Sequence, residues 1–464
     1  MASSFRYLVF ALGIVAACVS FGRAEPTVPD VAAAPKPEAK PPEFPEIKEA
    51  VDLFQQRKFD EALKLLDKAV KKGPDLPPAQ VIMYQLFLAA QQPAAARLSL
   101  ERAVMLEPAD PEAFVILGNI AMQDRRVTDS ELLYAKAKDL LPGFKSSQKR
   151  KDILEKQTTS GLANVAEARE QWALAQSYLE TLLKLDPKDA FAMQRLARAL
   201  FQQTDAPAAL KKLREAKAAD PKSVLTPEAA LGGFYEQYGD HKNATVWMDK
   251  ALAAAPDDLR TVLVYAGWAL ETGGIDAAEA RAEKAVALDP QSLEAKIIRG
   301  AVALFKKDYK TAVKWFEDAH LQSPSSLPAS NNLALALCEV PDSANSKNPD
   351  VPSLKRALEY AQANYQANSR NAECLSTLGW VFYKARDLDR ADMALRQAAS
   401  AGNLSPDTAY YLAQISYDRG RAADAKALLE AVLKTTRPFS MRPEADTLLK
   451  KINSEPAPSK PAAR

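Results

Sequence analysis

Apolar positions along this chain recur three and four residues apart in runs of about a dozen, a spacing that gathers them on one face of an α-helix. Polar residues and prolines separate the runs. Prolines close such runs at Pro74, Pro108, Pro142, Pro187, Pro221, Pro256, Pro290 and Pro324, in steps of 34, 34, 45, 34, 35, 34 and 34. When each proline is position 32 of a unit, position 20 is small throughout: Ala62, Ala96, Ser130, Ala175, Ala209, Ala244, Ala278 and Ala312, then Ala357, Ala391 and Ala425. Position 8 is small in most units, as Gly118, Gly232, Gly300 and Gly379 or as Ala50, Ala163, Ala197, Ala266, Ala334 and Ala413.

A helix of a dozen residues is marginal in water, so the two amphipathic runs of each unit must bury their apolar faces against each other and against the next unit. The pattern therefore predicts helical hairpins whose backbones cross most closely at positions 8 and 20. Proline at position 32 ends the second helix and sets the turn into the following hairpin.

These residues resemble the tetratricopeptide repeat, in which large apolar side chains near positions 4, 7, 11 and 24 accompany small residues at 8, 20 and 27 and proline at 32. Phe114, Leu117, Gly118, Ala121, Ser130, Tyr134, Ala137 and Pro142 follow that pattern, as do Leu231, Gly232, Tyr235, Ala244, Met248, Ala251 and Pro256. Eleven units start near residues 43, 77, 111, 156, 190, 225, 259, 293, 327, 372 and 406. The resemblance implies an all-α, right-handed superhelical solenoid over residues 46–438.

Several departures carry their own expectations. Tyr84 at position 8 predicts an opened second hairpin, and Ser369, Asn403 and Arg437 replace the proline in the last three units. The surplus near 145–155 is basic and reads as a lengthened helix. The surplus at 339–353, rich in Pro, Asn and Ser, reads as a loop splitting unit nine. Residues 439–453 form an amphipathic helix that would cap the open end of the stack, as a solenoid requires. The proline-bearing tail 454–464 resembles the spacer at 25–45, which has seven prolines and no core-forming pattern.

Residues 1–24 have the layout of a secretory signal peptide: Arg6, an apolar run from Tyr7 to Cys18, and Gly22-Arg23-Ala24 before a cleavage point. That run is about a dozen residues, against about 20 needed to span a bilayer. No transmembrane helix is therefore expected. Val15-Ala16-Ala17-Cys18 also resembles a bacterial lipobox, which would lipidate Cys18 and anchor the protein to a membrane. Both routes lead to export, to the periplasm or beyond.

Composition narrows the chemistry. Lys+Arg 61 against Asp+Glu 59 leaves a net charge of +2, which argues against a nucleic-acid partner. Two histidines and three cysteines cannot build most metal or haem centres, so neither a metal nor a cofactor is expected. Phosphate loops, dinucleotide fingerprints and Ser-His-Asp orders are absent as well, and the chain reads as a non-enzyme. His241, at position 17, is expected to plug its hairpin turn, and His320, at position 28, to pack. Cys338 and Cys374 fall nine residues out of register on neighbouring helices, about 13 Å along the axis, too far for a disulfide.

By the resemblance, first helices line a concave groove with positions 2, 5, 9, 12 and 13. Two sets stand out there as a partner-binding surface. One is Phe191, Gln194, Arg198, Phe201 and Gln202 in unit five. The other is Glu373, Ser376, Trp380, Tyr383, Lys384, Asp407, Tyr410, Gln414 and Tyr417 in units ten and eleven, where exposed aromatics would serve as interface anchors. The competing reading has the capping helix or the 339–353 loop folded over those rings. The family's Lys/Asn clamp for terminal carboxylates is not reproduced, since Val115 precedes Asn119 where the clamp has lysine. These features point to a protein–protein interaction scaffold of the cell envelope holding a protein or extended peptide. A chaperone with transient clients and a carbohydrate-associated protein, stacking sugars on Trp380, are the alternatives.

Overall fold

A computed structural model describes residues 44–73, 75–341, 351–400, 404–435 and 438–454. The signal segment with Cys18, the spacer up to residue 43, most of the 339–353 loop and the tail beyond Ser454 lie outside the described residues. The chain divides into two compact units, with the boundary in sequence between Pro227 and Glu228. The first contains α1 (Pro45–Gln55), α2 (Phe59–Lys72), α3 (Ala79–Ala89), α4 (Pro93–Leu106), α5 (Glu112–Gln123), α6 (Val127–Leu140), α7 (Gln148–Ala168), α8 (Trp172–Leu185), α9 (Ala190–Gln202) and α10 (Ala206–Ala219).

The second contains α11 (Pro227–Tyr238), α12 (His241–Ala254), α13 (Leu259–Thr272), α14 (Ile275–Leu288), α15 (Leu293–Phe305), α16 (Tyr309–Gln322), α17 (Leu327–Glu339) and α18 (Pro352–Ala367). It continues with α19 (Ala372–Lys384), α20 (Leu388–Ser400), α21 (Pro406–Asp418), α22 (Ala422–Leu433) and α23 (Arg442–Ser454). Among the described residues, successive helices pack in pairs, giving eleven hairpins followed by α23, and no strand occurs. The fold is all-α.

Close crossing explains the small residues. Every position-20 residue, from Ala62 through Ala425 and including Ser130, is 0% exposed. Opposite them, glycine at position 8 accompanies a large side chain at position 24. Tyr134 lies on Gly118, Phe316 on Gly300, Met248 on Gly232 and Leu395 on Gly379. A Cβ added to Gly300 would stand 2.6 Å from the Phe316 ring, whereas one on Gly232 would stand 3.2 Å from the flexible Met248 side chain. The Ser130 hydroxyl is not wasted in this crossing, since it donates to the Gly118 carbonyl at 2.9 Å.

The turn inside each hairpin follows a rule that residue types conceal. Position 15 is left-handed in ten hairpins, at Arg57, Gln91, Arg125, Glu170, Thr204, Gly239, Gly273, Lys307, Arg386 and Gly420. The next residue's N–H then reaches back to the carbonyl at position 11, as in Arg126 to Ala121 at 2.8 Å and Asp205 to Leu200 at 3.0 Å. Such a bond satisfies a carbonyl that the helix end would otherwise leave bare. Between hairpins, the residue before most of these prolines is extended, with φ of −140° at Asp186, −135° at Asp220 and −144° at Asp289, because the proline ring disfavours the helical conformation there; Leu141 before Pro142 stays helical at φ −54°, where a 3-10 turn continues α6. Asn368 adopts φ −137° before Ser369, so the packing imposes the same turn without proline.

Four expectations are corrected. Pro45 belongs to α1 instead of the spacer, as its first residue, where a missing N–H costs nothing. Tyr84 does not open the second hairpin; Ala96 is fully buried, and the Tyr84 ring packs against the cluster of Val81, Leu100, Ala103 and Ala113 that joins the next hairpin. His241 does not plug its turn, because Glu236 Oε1 holds its Nδ1 at 2.9 Å and the side chain is 57% exposed. The final helix is preceded by a non-helical stretch at 438–441 and is tied far back along the stack, as described below. His320 does pack, edge-on to Tyr360 at 5.1 Å. Cys338 and Cys374 are free and buried.

The basic surplus lengthens α7 to 21 residues. Ser147 caps it, and Arg150 fastens the added turns to the preceding hairpin through Asp110 at 2.8 Å and Glu112 at 2.6 Å. Burial raises the Glu112 carboxyl above its ordinary range in spite of the guanidinium beside it.

Two substitutions test these packing and turn rules. Gly300→Ala should lower stability by about 1–3 kcal/mol through overpacking against Phe316. Thr204→Gly should raise it by about 1 kcal/mol by relieving a β-branched residue at positive φ. Urea-denaturation midpoints read by circular dichroism would check both.

Candidate functional site

In the C-terminal unit, the first helices α15, α17, α19 and α21 face a common groove. Its lining includes Ala301, Leu304 and Phe305 from α15, Asn331, Asn332, Leu335 and Glu339 from α17, Glu373, Ser376 and Thr377 from α19, and Asp407, Thr408 and Tyr411 from α21. Phe439, Ser440 and Met441 close it from the C-terminal segment, leaving a cavity of about 120 Å³. Phe439 and Met441 are buried at 4% and 8% exposure.

Ties from three hairpins hold that segment in place. The Asp407 carboxylate accepts from Ser440 Oγ at 2.9 Å and from the Met441 N–H at 3.1 Å. Lys307 in the eighth hairpin pairs with Glu444 on α23, and Pro438 rests on Gly273 in the seventh. Burial raises the Asp407 carboxyl above the ordinary carboxylate range, against the pull of the Ser440 and Met441 donors.

Beside the cavity the aromatic side chains form a stack. Trp380 is nearly parallel to Tyr411 at 4.1 Å and to Tyr383 at 4.7 Å, with Tyr410 tilted at 5.9 Å. The Trp380 indole N–H donates to Glu339 Oε1 at 2.7 Å, and Lys384 Nζ donates to Glu339 Oε2 at 2.9 Å while lying 4.9 Å over the indole. Tyr383 donates to Asp418 at 2.7 Å. One carboxylate, that of Glu339, thus serves an indole and an ammonium together. Burial raises the Tyr383, Tyr410 and Tyr411 hydroxyls above the ordinary tyrosine range.

Polar groups in the cavity wall are less well matched. Asn331 is 7% exposed and its Oδ1 accepts no hydrogen bond among the described residues. The Glu373 carboxyl lines the same space, and burial alone pushes it up to about 8. Ser376, Thr408 and Ser405 form a hydroxyl chain with both links at 2.7 Å.

Comparison with known proteins places this stack of hairpins in a family. Tetratricopeptide repeat models match residues 161–224, 269–326 and 376–440, and a second such model matches 53–120, together more than half of the chain. The chain belongs to the tetratricopeptide repeat family. No curated protein matches it. Among solved structures, a tetratricopeptide repeat protein from Parabacteroides merdae is 13% identical, covers 57% of this chain and 99% of its own, and has a TM-score of 0.43. A thermophilic repeat protein of Thermus thermophilus is 21% identical over 42% of this chain and 100% of its own, at a TM-score of 0.37. Yeast Tom70 is 14% identical over 88% of this chain and 95% of its own, at 0.36. Likenesses this distant say nothing of a partner.

Within the tetratricopeptide stack, the expected exposure of the aromatic set is corrected. Trp380 and Tyr410 are buried, at 3% and 6% exposure, because tyrosines stack on the indole and the C-terminal segment closes the groove beside them. Tyr417 is half-buried under Lys451, 4.7 Å above its ring, and Gln414 donates to Asp418 at 3.2 Å. In the fifth repeat, Phe201 is buried at 7%, while Phe191 stays exposed at 54% with Arg195 over its ring. Gln194 donates to the Ala190 carbonyl at 3.2 Å, and Arg198 lies 5.5 Å over Trp172. Asn331 and Phe439 escaped the sequence reading. The first sits at position 5 of a repeat without aromatic neighbours, and the second lay in a segment assigned to end-capping. Among the described residues, no helix is long and apolar enough to cross a membrane, and no three metal-ligating side chains come together.

Two measurements follow. Trp380→Ala should destabilise the C-terminal unit by about 3–5 kcal/mol, since it opens a core cavity and strips a donor from buried Glu339; thermal unfolding would read this. Glu373 keeps its proton in the folded chain up to about pH 8, while its ordinary value is 4.5. Between those values the folded state binds the extra proton, so stability falls as pH rises across that window. Glu373→Gln should flatten that fall in melting temperature between pH 5 and 8.5.

Proposed function

We propose that this tetratricopeptide repeat protein is an exported, non-catalytic scaffold that holds a protein or extended peptide in the groove of its C-terminal unit. The observation that carries the reading is Phe439–Met441, a non-helical stretch seated against α15, α17, α19 and α21. The groove accommodates non-helical chain, buries its apolar side chains and offers Asp407 to its backbone N–H. A partner segment that takes the place of this stretch would meet the same Asp407 acceptor and apolar walls. Export rests on the signal-like residues 1–24, and a place in an envelope assembly follows from it; Cys18 supplies an anchor if it is lipidated. Sugar stacking on Trp380 loses its basis, because an indole at 3% exposure offers no ring face.

A photo-crosslinking amino acid at Leu304 or Phe305, which line the groove, should capture one or two proteins at fixed ratio in the native envelope. The same group at Met393, which is 66% exposed on a second helix, should not. A broad set of adducts that ignores position would instead establish the transient-client chaperone.

A further inference from the structure

The groove of the C-terminal unit is occupied by its own chain, and the contacts of that occupant describe what the groove takes. Phe439 and Met441 are buried at 4% and 8% exposure. Between them, the Ser440 hydroxyl and the Met441 N–H converge on one atom, Asp407 Oδ1, at 2.9 and 3.1 Å. This pair of bonds selects a hydroxyl residue followed by a residue that has a backbone N–H, which excludes proline. The apolar walls, Leu304 and Leu335 among them, select an aromatic side chain before the hydroxyl residue and an apolar one after it.

Outside the groove the occupant is held lightly. α23, which follows it, buries Ala445 and Leu448 and no other residue. The Lys307–Glu444 pair lies at the surface, with side chains 37% and 34% exposed, and pairs of that kind contribute little. Arg442 shapes the segment from its own side of the chain, donating to the Leu433 and Thr435 carbonyls at 2.9 Å while lying 5.6 Å over the Phe439 ring. Nor does the segment fill the groove, since a cavity of about 120 Å³ remains beside it. A tethered occupant competes through its high effective concentration. The unfilled volume leaves a better-packed segment the margin to displace it.

We propose that Phe439–Met441 is a resident imitation of the partner: the protein segment held in this groove presents an aromatic residue, a serine or threonine and an apolar residue in succession, sets the hydroxyl and the following N–H on Asp407, and displaces the C-terminal segment to enter. This rests on the reading of the groove as a peptide site, and adds to it the partner's motif and the competition. While the segment is seated, the partner's apparent affinity is reduced in proportion to the open fraction of the groove.

The probe is fluorescein-labelled Pro-Phe-Ser-Met-Arg-amide, the sequence of residues 438–442 supplied in trans, titrated with the full chain and read by fluorescence anisotropy. Phe439→Ala removes the resident anchor and should tighten the peptide about tenfold or more. Glu444→Ala cuts the exposed tie and should tighten it about threefold. Alanine in place of the peptide's phenylalanine or serine should cancel either gain. In the native envelope, Phe439→Ala should raise the partner crosslink at Leu304, and excess peptide should suppress it. Affinity that neither variant changes, or that the alanine peptides share, would overturn the proposal. Crosslinks at Leu304 that the peptide leaves untouched would overturn it too, keeping the scaffold and making the segment a permanent closure. Peptide gain without any crosslink at Leu304 would remove the scaffold reading and the proposal with it. Glu444→Ala keeps the test decisive if Phe439→Ala perturbs folding.

Discussion

Eleven times along the chain two helix backbones approach so closely that position 20 has no exposure at all, and the other features of the fold are arranged around that contact. A close crossing limits side-chain volume at position 8 and transfers it to position 24, which is why Gly118 faces Tyr134 and Gly300 faces Phe316. It also dictates where the chain must reverse. The left-handed residue at position 15 and the extended residue before position 32 are the two backbone states that return most of these helices to their neighbours. Short helices that could not persist alone gain stability from this repeated contact.

Function and packing compete for the same aromatic residues at the C-terminal end. Trp380, Tyr383, Tyr410 and Tyr411 have the composition of an interface, yet their rings are turned on one another, and the polar ends of Trp380 and Tyr383 bind Glu339 and Asp418. Interface anchors and core aromatics share the same physical chemistry, a large apolar body with one hydrogen-bonding end. What distinguishes the groove is the C-terminal segment seated in it, with Phe439 buried and Ser440 and Met441 bonded to Asp407.

The hairpins were legible because their determinants are local and periodic: proline at a nearly constant interval and a small residue at fixed positions. The left-handed turn was not, since Arg, Gln, Glu, Thr, Lys and Gly all occupy position 15 and the chain's need to end one helix selects the conformation. The exposure of Trp380 was not legible either. It depends on contacts with Glu339 and Tyr411, which belong to the hairpins on either side. Nor could periodicity foretell that Phe439 would close a groove, because that placement depends on Lys307 meeting Glu444 across 137 residues.

A stack of repeats couples each hairpin to its neighbours alone, and such an array stretches like a spring. The segment from Pro438 to Glu444 alters that mechanics. By touching the seventh, eighth and eleventh hairpins at Gly273, Lys307 and Asp407, it acts as a bowstring across five repeats. Extension of this part of the protein must first break the string, so its elasticity has a threshold instead of a constant stiffness.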